Sequence, residues 1–465
     1  MEAISRQLKE KALTEWKSLG NGIDIKLADT ALDFTINSHG NDKRASGELY
    51  FNHPIRVARR VAKLMPETTT IIAALLHDTV EDTGKNIQEI SDMFGKDVGK
   101  LVNSLTKVKK SRSLTLQKLF KVGYRDIRAI VIKLIDRLDN LDDLGALPRH
   151  KQIRIANESF VLYAEIAHGL GLLQIENEIR NKAFEIRSPK RYHYLQQQIK
   201  RTCQSRKSST TVVKNKIEEN LRNINAEVLI EMKQPHDYMK SIRRIFDTPE
   251  SAIIITTAPE DCFTAMGYLH MKFHCVPLTI RDYISNPKSN GWQGLVSEIM
   301  IDGTQVPVNF MTQGMYNRNY YGILNLLQEG LYHHHHYQKF LDLYIEVGLD
   351  SSMNEQRIED IFKSTQGEPF QTMTPKGDVI ELSYGATILD FAFMVHSSLG
   401  LSCIGGEIEG VLYSYDKKIR EGDIVKIITD KSVIPNKNWH KILVTRRARK
   451  ELDKYFNKHT KTPNN

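Results

Sequence analysis

The side chains best suited to chemistry crowd into one short run, Ala73-Ala74-Leu75-Leu76-His77-Asp78-Thr79-Val80-Glu81-Asp82-Thr83. Its apolar entry predicts a buried helix, and residues four apart share a helix face. His77 with Glu81, and Asp78 with Asp82, would then present one imidazole and three carboxylates together. Such a group is costly to bury without compensation. A divalent metal is the simplest compensation, because imidazole and carboxylate together suit Mn, Fe or Zn. A capping cluster at a helix N-terminus, or a solvated acidic face, is the plainer alternative.

Two other stretches bear on this group. Lys43-Arg44-Ala45-Ser46-Gly47 leads through Glu48-Leu49-Tyr50-Phe51-Asn52 into His53-Pro54, a basic polar loop followed by a helix with Pro near its first turn. A lone His in that place is ordinarily a cap or a core residue. Between Arg125 and Leu144, the residues Ile127, Val131, Leu134, Leu138 and Leu141 form an apolar stripe at helical spacing. Asp136, Asn140 and Asp143 recur at i, i+4 and i+7 on another side, and for Asp142 and Asp143 the expectation is an exposed acidic face.

Three motifs carry a resemblance: the Gly-Glu-x-Tyr-x-x-His-Pro context of His53, the Leu-Leu-His-Asp-x-x-Glu-Asp run, and a Lys-Leu-x-Asp-Arg-Leu-x-Asn helix around Asp136. Together they resemble the HD phosphohydrolase domain of the RelA/SpoT homologue family, the bifunctional enzymes of the stringent response. The resemblance implies an all-α domain over residues 1–200 in which His53, His77, Asp78 and Asp136 bind one Mn²⁺. It implies that Glu81 and Asp82 position or activate the attacking water, and that Arg44, Ser46 and Asn140 contact a guanosine nucleotide. Lys43, and the cluster Lys107, Lys109 and Lys110, would add to the grip on a polyphosphate.

A metal held by two His and two Asp keeps coordination positions open, lowers the pKa of bound water and neutralises charge on a phosphoryl group. A nearby carboxylate can take the water's proton. The family supplies the identity of the bond: water displaces pyrophosphate from the ribose 3′ position of guanosine tetra- or pentaphosphate. Ala45, Asp139 and Asp143 stand where the family often has Lys, His and Thr, each adding negative or removing positive charge beside a polyanion. Lower substrate affinity, or substitution by Lys43, is the expected result. Ile153–Glu158 and Tyr163–Gly171 resemble the family's linking helices, and His168 reads as structural, with no acid at metal-ligand spacing.

Residues 201–216 are basic, polar and Ser/Thr-rich and read as a linker. Over 205–345 the strand-like runs Ser251–Thr257 and Val306–Phe310 alternate with helical pieces such as Cys262–Phe273, an α/β pattern. Arg281–Leu295 resembles the nucleotide-binding run of the family's nucleotidyltransferase-like pyrophosphokinase domain, with Trp292 in place of a base-stacking Tyr. The working positions are eroded. Asn309 and Gln313 stand where the family has a metal-binding Glu and an Arg, Val296 replaces a His, and no Arg follows Asp247 at the family's spacing. Phosphoryl transfer needs metal ions and cations around the moving charge, so a pseudo-synthetase is expected. His333–His336 point four ways around a helix and read as a solvated turn.

Residues 370–430 strongly resemble a TGS domain, a small α+β, β-grasp-like module: strand, Pro375-Lys376-Gly377-Asp378 turn, strand, a helix from Ile388, and a closing strand near Val425. In the family it contacts tRNA or protein partners. Residues 431–465 form a basic tail, with a helix expected over Trp439–Lys458. No stretch of these 465 residues resembles the family's zinc-finger and ACT modules, and ribosome-linked activation is not expected.

The bulk numbers agree with a multidomain protein. A chain of 465 residues is too long for one ordinary core. The net charge of +9 weakly favours polyanionic partners. No signal core or membrane-spanning run is present, and Cys203, Cys262, Cys275 and Cys403 lack paired spacing, as in a reducing cytoplasm. The reading is a Mn²⁺-dependent guanosine-3′,5′-bis(diphosphate) 3′-pyrophosphohydrolase with a dead synthetase fold and a TGS module acting in cis. A hydrolase of another phosphorylated nucleotide, and a non-catalytic nucleotide sensor or partner-docking protein, are the alternatives.

Overall fold

In a computed structural model, residues 2–328 and 370–460 are described apart from 21, 107–111, 124, 206, 239–249, 289, 384, 409 and 421, together with 347 and 358. Two compact units emerge, Met1–Glu355 and Gln356–Asn465. As far as Asn220 the described elements are helices, broken by an antiparallel bridge between Lys43 and Leu49.

Two helices make the centre of this helical region because they carry almost nothing polar to expose. Thr68–Leu76 is buried from Thr70 onward, and Arg128–Asp142 is buried without a break from Ala129 to Asp136. A helix apolar on all sides belongs inside a core. Asn52–Leu64 is amphipathic instead: His53, Ile55, Val57, Ala58 and Val61 face inward. Its outward Arg59 pairs with Glu15, and Arg60 with Glu178. Ile25–His39 closes the bundle, its N-terminus capped by Asp24, which accepts from the Leu27 amide at 3.0 Å.

One expectation fails at the boundary of the next region. Residues 201–216 are not a loose linker: Pro189–Ser205 and Lys207–Asn220 are helices. Val213 and Ile217, with Leu221 just beyond, are buried against the sheet that follows. That periodic apolar set outweighs the Ser/Thr-rich composition that suggested flexibility.

The sheet runs β1 (Ala226–Met232), β2 (Glu250–Thr256), β6 (Thr304–Thr312), β5 (Leu295–Ile301), β3 (His274–Cys275), with β4 (Arg281–Asp282) also paired to β5. Only β2 and β6 pair in parallel. The helices Lys207–Asn220 and Pro259–Lys272 cover one face, packing Ile217, Cys262 and Leu269 on Val228, Ile254 and Phe310. On the other face Ile253, Ile255, Met311 and Met315 cluster, with Trp292 and Tyr316 against them. Trp292 therefore packs at least in part as core.

The helical region meets the sheet region through backbone. The Ile323 amide donates to the Leu170 carbonyl at 2.9 Å. Gly322, at φ +52°, lies so close that a Cβ would run into the backbone of Leu170 and Gly171.

In the second unit, β7 (Phe370–Met373) and β8 (Val379–Leu382) form a hairpin, and β9 (Cys403–Ile408) lies between β10 (Val411–Ser414) and β11 (Val425–Thr429). The helix Ile388–Val395 begins with a capping box of Thr387 and Asp390. The single helix expected over Trp439–Lys458 is instead a 3₁₀ turn, Lys437–Lys441, and a helix, Arg446–Thr460. The break is held by Asp390, which is fully buried and accepts from the amides of Val444 at 3.0 Å and Thr445 at 2.6 Å. Trp439, Leu443, Ala448 and Leu452 join Phe391 and Phe393 in one core.

Candidate metal centre

His53, from the start of Asn52–Leu64, His77 and Asp78, from the end of Thr68–Leu76, and Asp136, from Arg128–Asp142, converge and are all buried. One ligand atom from each lies within 4.8 Å of all the others. His77 and Asp78 are not inside a continuous helix, as the run had suggested; they form the turn between Thr68–Leu76 and the short helix Thr79–Asp82. Breaking the helix there lets adjacent residues aim into the same space, which helical spacing would forbid.

The donor atoms are arranged as ligands rather than as hydrogen-bonded partners. His53 Nε2 is 3.4 Å from Asp78 Oδ2 and 3.2 Å from Asp136 Oδ1. His77 Nε2 is 3.3 Å from Asp78 Oδ2 and 3.6 Å from Asp136 Oδ1. Both Nε2 atoms are buried and neither has a hydrogen-bond partner, a costly state unless something else satisfies them. Neighbouring ligands of one ion, with bonds of about 2.1 Å at right angles, stand about 3 Å apart. The two imidazoles and two carboxylates thus fit a divalent metal.

Their rear atoms are fixed. Nδ1 of His77 donates to the Ala74 carbonyl at 2.7 Å, and Nδ1 of His53 lies 2.7 Å from Asp139 Oδ2. Asp136 receives Lys133 Nζ on Oδ2 at 2.6 Å and Asn140 Nδ2 on Oδ1 at 2.5 Å. Burial by itself would hold the imidazoles low, but the carboxylates outweigh it: His53 is pushed up to about 10 and His77 to about 9. Burial would likewise raise Asp78 and Asp136, and the adjoining imidazoles, with Lys133 at Asp136, hold both well below the usual carboxylate range.

Around this core, Asp82 is exposed and accepts from the Tyr50 hydroxyl at 2.5 Å; the same hydroxyl is 3.3 Å from Asp78 Oδ2. Glu81, on the same short helix, is partly buried. Lys43 and Ser46 are exposed on the loop that turns at Gly47, whose φ is +84°. Arg44 bends inward, bonding Asn140 Oδ1 and pairing with Asp143 at 2.7 Å. Lys107, Lys109 and Lys110 lie outside the described residues, as do Asp247 and the histidine run 333–336.

Two acids read differently from the sequence. Asp143 is not a solvated acid, since Arg44 and Arg56 both reach it, at 2.7 and 3.2 Å. Asp139 is buried against His53 and Arg56, with Arg44 Nη1 3.6 Å from its Oδ2. Asp142 is exposed, as expected, and pairs with Lys182. His168 is structural, though an acid does accompany it: Glu176, eight residues on, lies 3.0 Å from its Nδ1. Sequence reasoning gave no role to Tyr50, Arg56 or Lys133. Tyr50 and Lys133 each stand three residues before a ligand, inside the motifs already noted.

Residues 31–173 match the HD-domain family, and residues 370–429 match the TGS-domain family. The chain is an HD-domain protein with a TGS module. Its relatives are similar in name and domain content to the RelA/SpoT homologue proteins. It is 32% identical over 92% of its length to a guanosine-3′,5′-bis(diphosphate) 3′-pyrophosphohydrolase of Aquifex aeolicus, covering 64% of that protein. It is 29% identical over 94% of its length to a probable GTP pyrophosphokinase of Mycobacterium leprae, covering 59% of it. It is 29% identical over 89% of its length to the bifunctional (p)ppGpp synthase/hydrolase SpoT of Escherichia coli, covering 62% of it. The chain thus spans less than two thirds of the length of these curated relatives. Among the described residues no helix is long and apolar enough to cross a membrane.

Proposed function

We propose that the protein hydrolyses guanosine tetra- and pentaphosphate to GDP or GTP and pyrophosphate, using Mn²⁺ held by His53, His77, Asp78 and Asp136. The observation that carries this reading is the pair of buried Nε2 atoms, unpartnered and facing two carboxylates. When bound, the metal would lower the pKa of a water and offset charge on the phosphoryl group.

The remaining work falls to the chain. Asp82, steadied by the Tyr50 hydroxyl, and Glu81 stand beside the ligands on the short helix after Asp78 and would take the water's proton. Arg44, Lys43 and Ser46 lie on one loop, and Asn140 bridges Arg44 to Asp136. That bridge ties the nucleotide grip to the metal ligands. For Arg44 to hold a phosphate, its pairing with Asp143 must give way, which agrees with reduced substrate affinity.

The sheet region is read as a synthetase fold without synthesis. Asn309 and Gln313 supply neither the carboxylate nor the guanidinium of the family pattern, and the central strands present Ile253, Ile255 and Met311 on the face opposite the two covering helices. Its backbone contact at Leu170 and Gly322 supports a regulatory role in cis. The TGS module would take a protein or tRNA partner, and the protein would work in the cytoplasm.

Time-resolved product analysis on guanosine tetraphosphate tests the reading, with chelated protein, Mn²⁺ add-back, and an ATP-plus-GDP synthesis control. Pyrophosphate and GDP that appear only with the metal, and no tetraphosphate in the control, are expected. Metal-independent turnover, or no turnover at all, would sink the hydrolase reading; synthesis in the control would sink the pseudo-synthetase reading.

A further inference from the structure

The two imidazoles of the metal centre are held from behind in different ways. His77 donates through Nδ1 to a neutral group, the Ala74 carbonyl. His53 faces a carboxylate, Asp139 Oδ2, at 2.7 Å. An ionised carboxylate only accepts, so Nδ1 of His53 carries a proton and its Nε2 is directed at Asp78 and Asp136.

Asp139 cannot swing away. It is 2% exposed, and Arg56 grips it with Nε at 2.8 Å on Oδ1 and Nη2 at 2.9 Å on Oδ2. Arg56 is itself braced by Glu48 at 2.5 Å. The family resemblance sets a His at this position, so the carboxylate is a departure by this chain.

We propose that Asp139 is a positioning residue of the metal centre, which with Arg56 fixes the ring of His53 and makes its Nε2 the stronger of the two imidazole donors. The inference rests on reading His53, His77, Asp78 and Asp136 as ligands. A charged acceptor behind a ligating imidazole fixes its tautomer and raises its basicity, and removing such partners typically costs about 10–100-fold in metal affinity. The guanidinium shares the carboxylate's charge, which keeps the proton on the ring while preserving the orienting bond. An acid at 139 therefore acts on the metal rather than on the substrate.

The test uses the full chain stripped of metal and titrated with Mn²⁺, free ion being counted by its electron paramagnetic resonance signal. Co²⁺ loading adds a visible absorption band that reports ligand geometry. Asp139→Asn keeps the shape and an acceptor oxygen without the charge; Asp139→Ala removes the bond, while Arg56 retains Glu48 and Asp143. Asp142→Ala, at an exposed acid of the same helix that pairs with Lys182, leaves His53, Asp139 and Arg56 as they are.

Expected are a loss of several-fold for Asn, a loss of about 10–100-fold with a shifted Co²⁺ band for Ala, and no change for Asp142→Ala. Equal Mn²⁺ affinity in the parent, Asn and Ala proteins overturns the inference and leaves the hydrolase reading standing. So does an equal loss in Asp142→Ala, which would place the effect in the fold of this helix at large. A parent protein that takes up no Mn²⁺ overturns both.

Discussion

At the scale of single residues, Tyr50 links the two halves of the proposed chemistry. Its hydroxyl spans Asp78, a ligand, and Asp82, a proton acceptor, at 3.3 and 2.5 Å. Burial first, then both carboxylates, push its own ionisation far up, so it stays a donor at any working pH. Stacked on His39, with ring centroids 4.8 Å apart, it has little freedom to move. Tyr50→Phe removes one oxygen and leaves the packing. We expect kcat to drop roughly 10–100-fold from the loss of Asp82 alignment, with KM nearly constant; a changed KM at unchanged kcat would place Tyr50 with the substrate instead.

The meeting of His53, His77, Asp78 and Asp136 was legible because each sits in a short motif whose residue types are rare together. Asp139 and Asp143 were misread for a different reason. Spacing along Arg128–Asp142 tells which side chains share a face, and it told that correctly, but it does not say what the face meets. Arg44 and Arg56 arrive from more than 80 residues away, and only the tertiary fold makes Asp143 an ion-pair partner and buries Asp139.

At the scale of elements, the join between helices and sheet is made by Gly322 against Leu170 and Gly171. From the metal side, Arg137 follows the ligand Asp136 and bonds both Glu158, at 3.2 Å, and the Tyr163 hydroxyl, at 2.9 Å. Tyr163 closes a π-helical turn, Ser159–Tyr163, that runs straight into Ala164–Gly169 and so to Leu170. Such turns often mark functional places in helices. Gly322→Ala meets a φ of +52° that costs a side chain roughly 1 kcal/mol, and a backbone collision besides. The expected outcome is faster amide exchange over residues 164–173 and 313–325, together with a changed hydrolysis rate. Altered exchange with an unaltered rate would count against regulation in cis.

The helices of this region were readable from periodicity, whereas the helix Lys207–Asn220 was not. Its Lys, Ser and Thr content matches a linker, and the apolar Val213 and Ile217 gain meaning only once the sheet is there to receive them.

At the scale of the whole molecule, the metal centre couples folding to pH. Without metal, His53 and His77 are raised to about 10 and about 9, above an unfolded value of about 6.5. Their contribution to stability is therefore complete below that unfolded value and is lost as pH rises through 9 to 10. A bound cation replaces those protons and binds better as they leave. Melting temperatures of chelated protein should fall from pH 7 to pH 9, while the gap between Mn²⁺-loaded and chelated protein widens. A gap that stays constant or narrows would contradict this ligand set.

Asp390 has a consequence for how the second unit can be divided. The carboxylate that accepts from Thr387 at the start of the helix Ile388–Val395 is the same one that receives the amides just before the helix Arg446–Thr460. Releasing either end would cost this buried side chain part of its hydrogen bonds, so the helix Arg446–Thr460 is a structural wall of its module and is expected to melt with it in a single step.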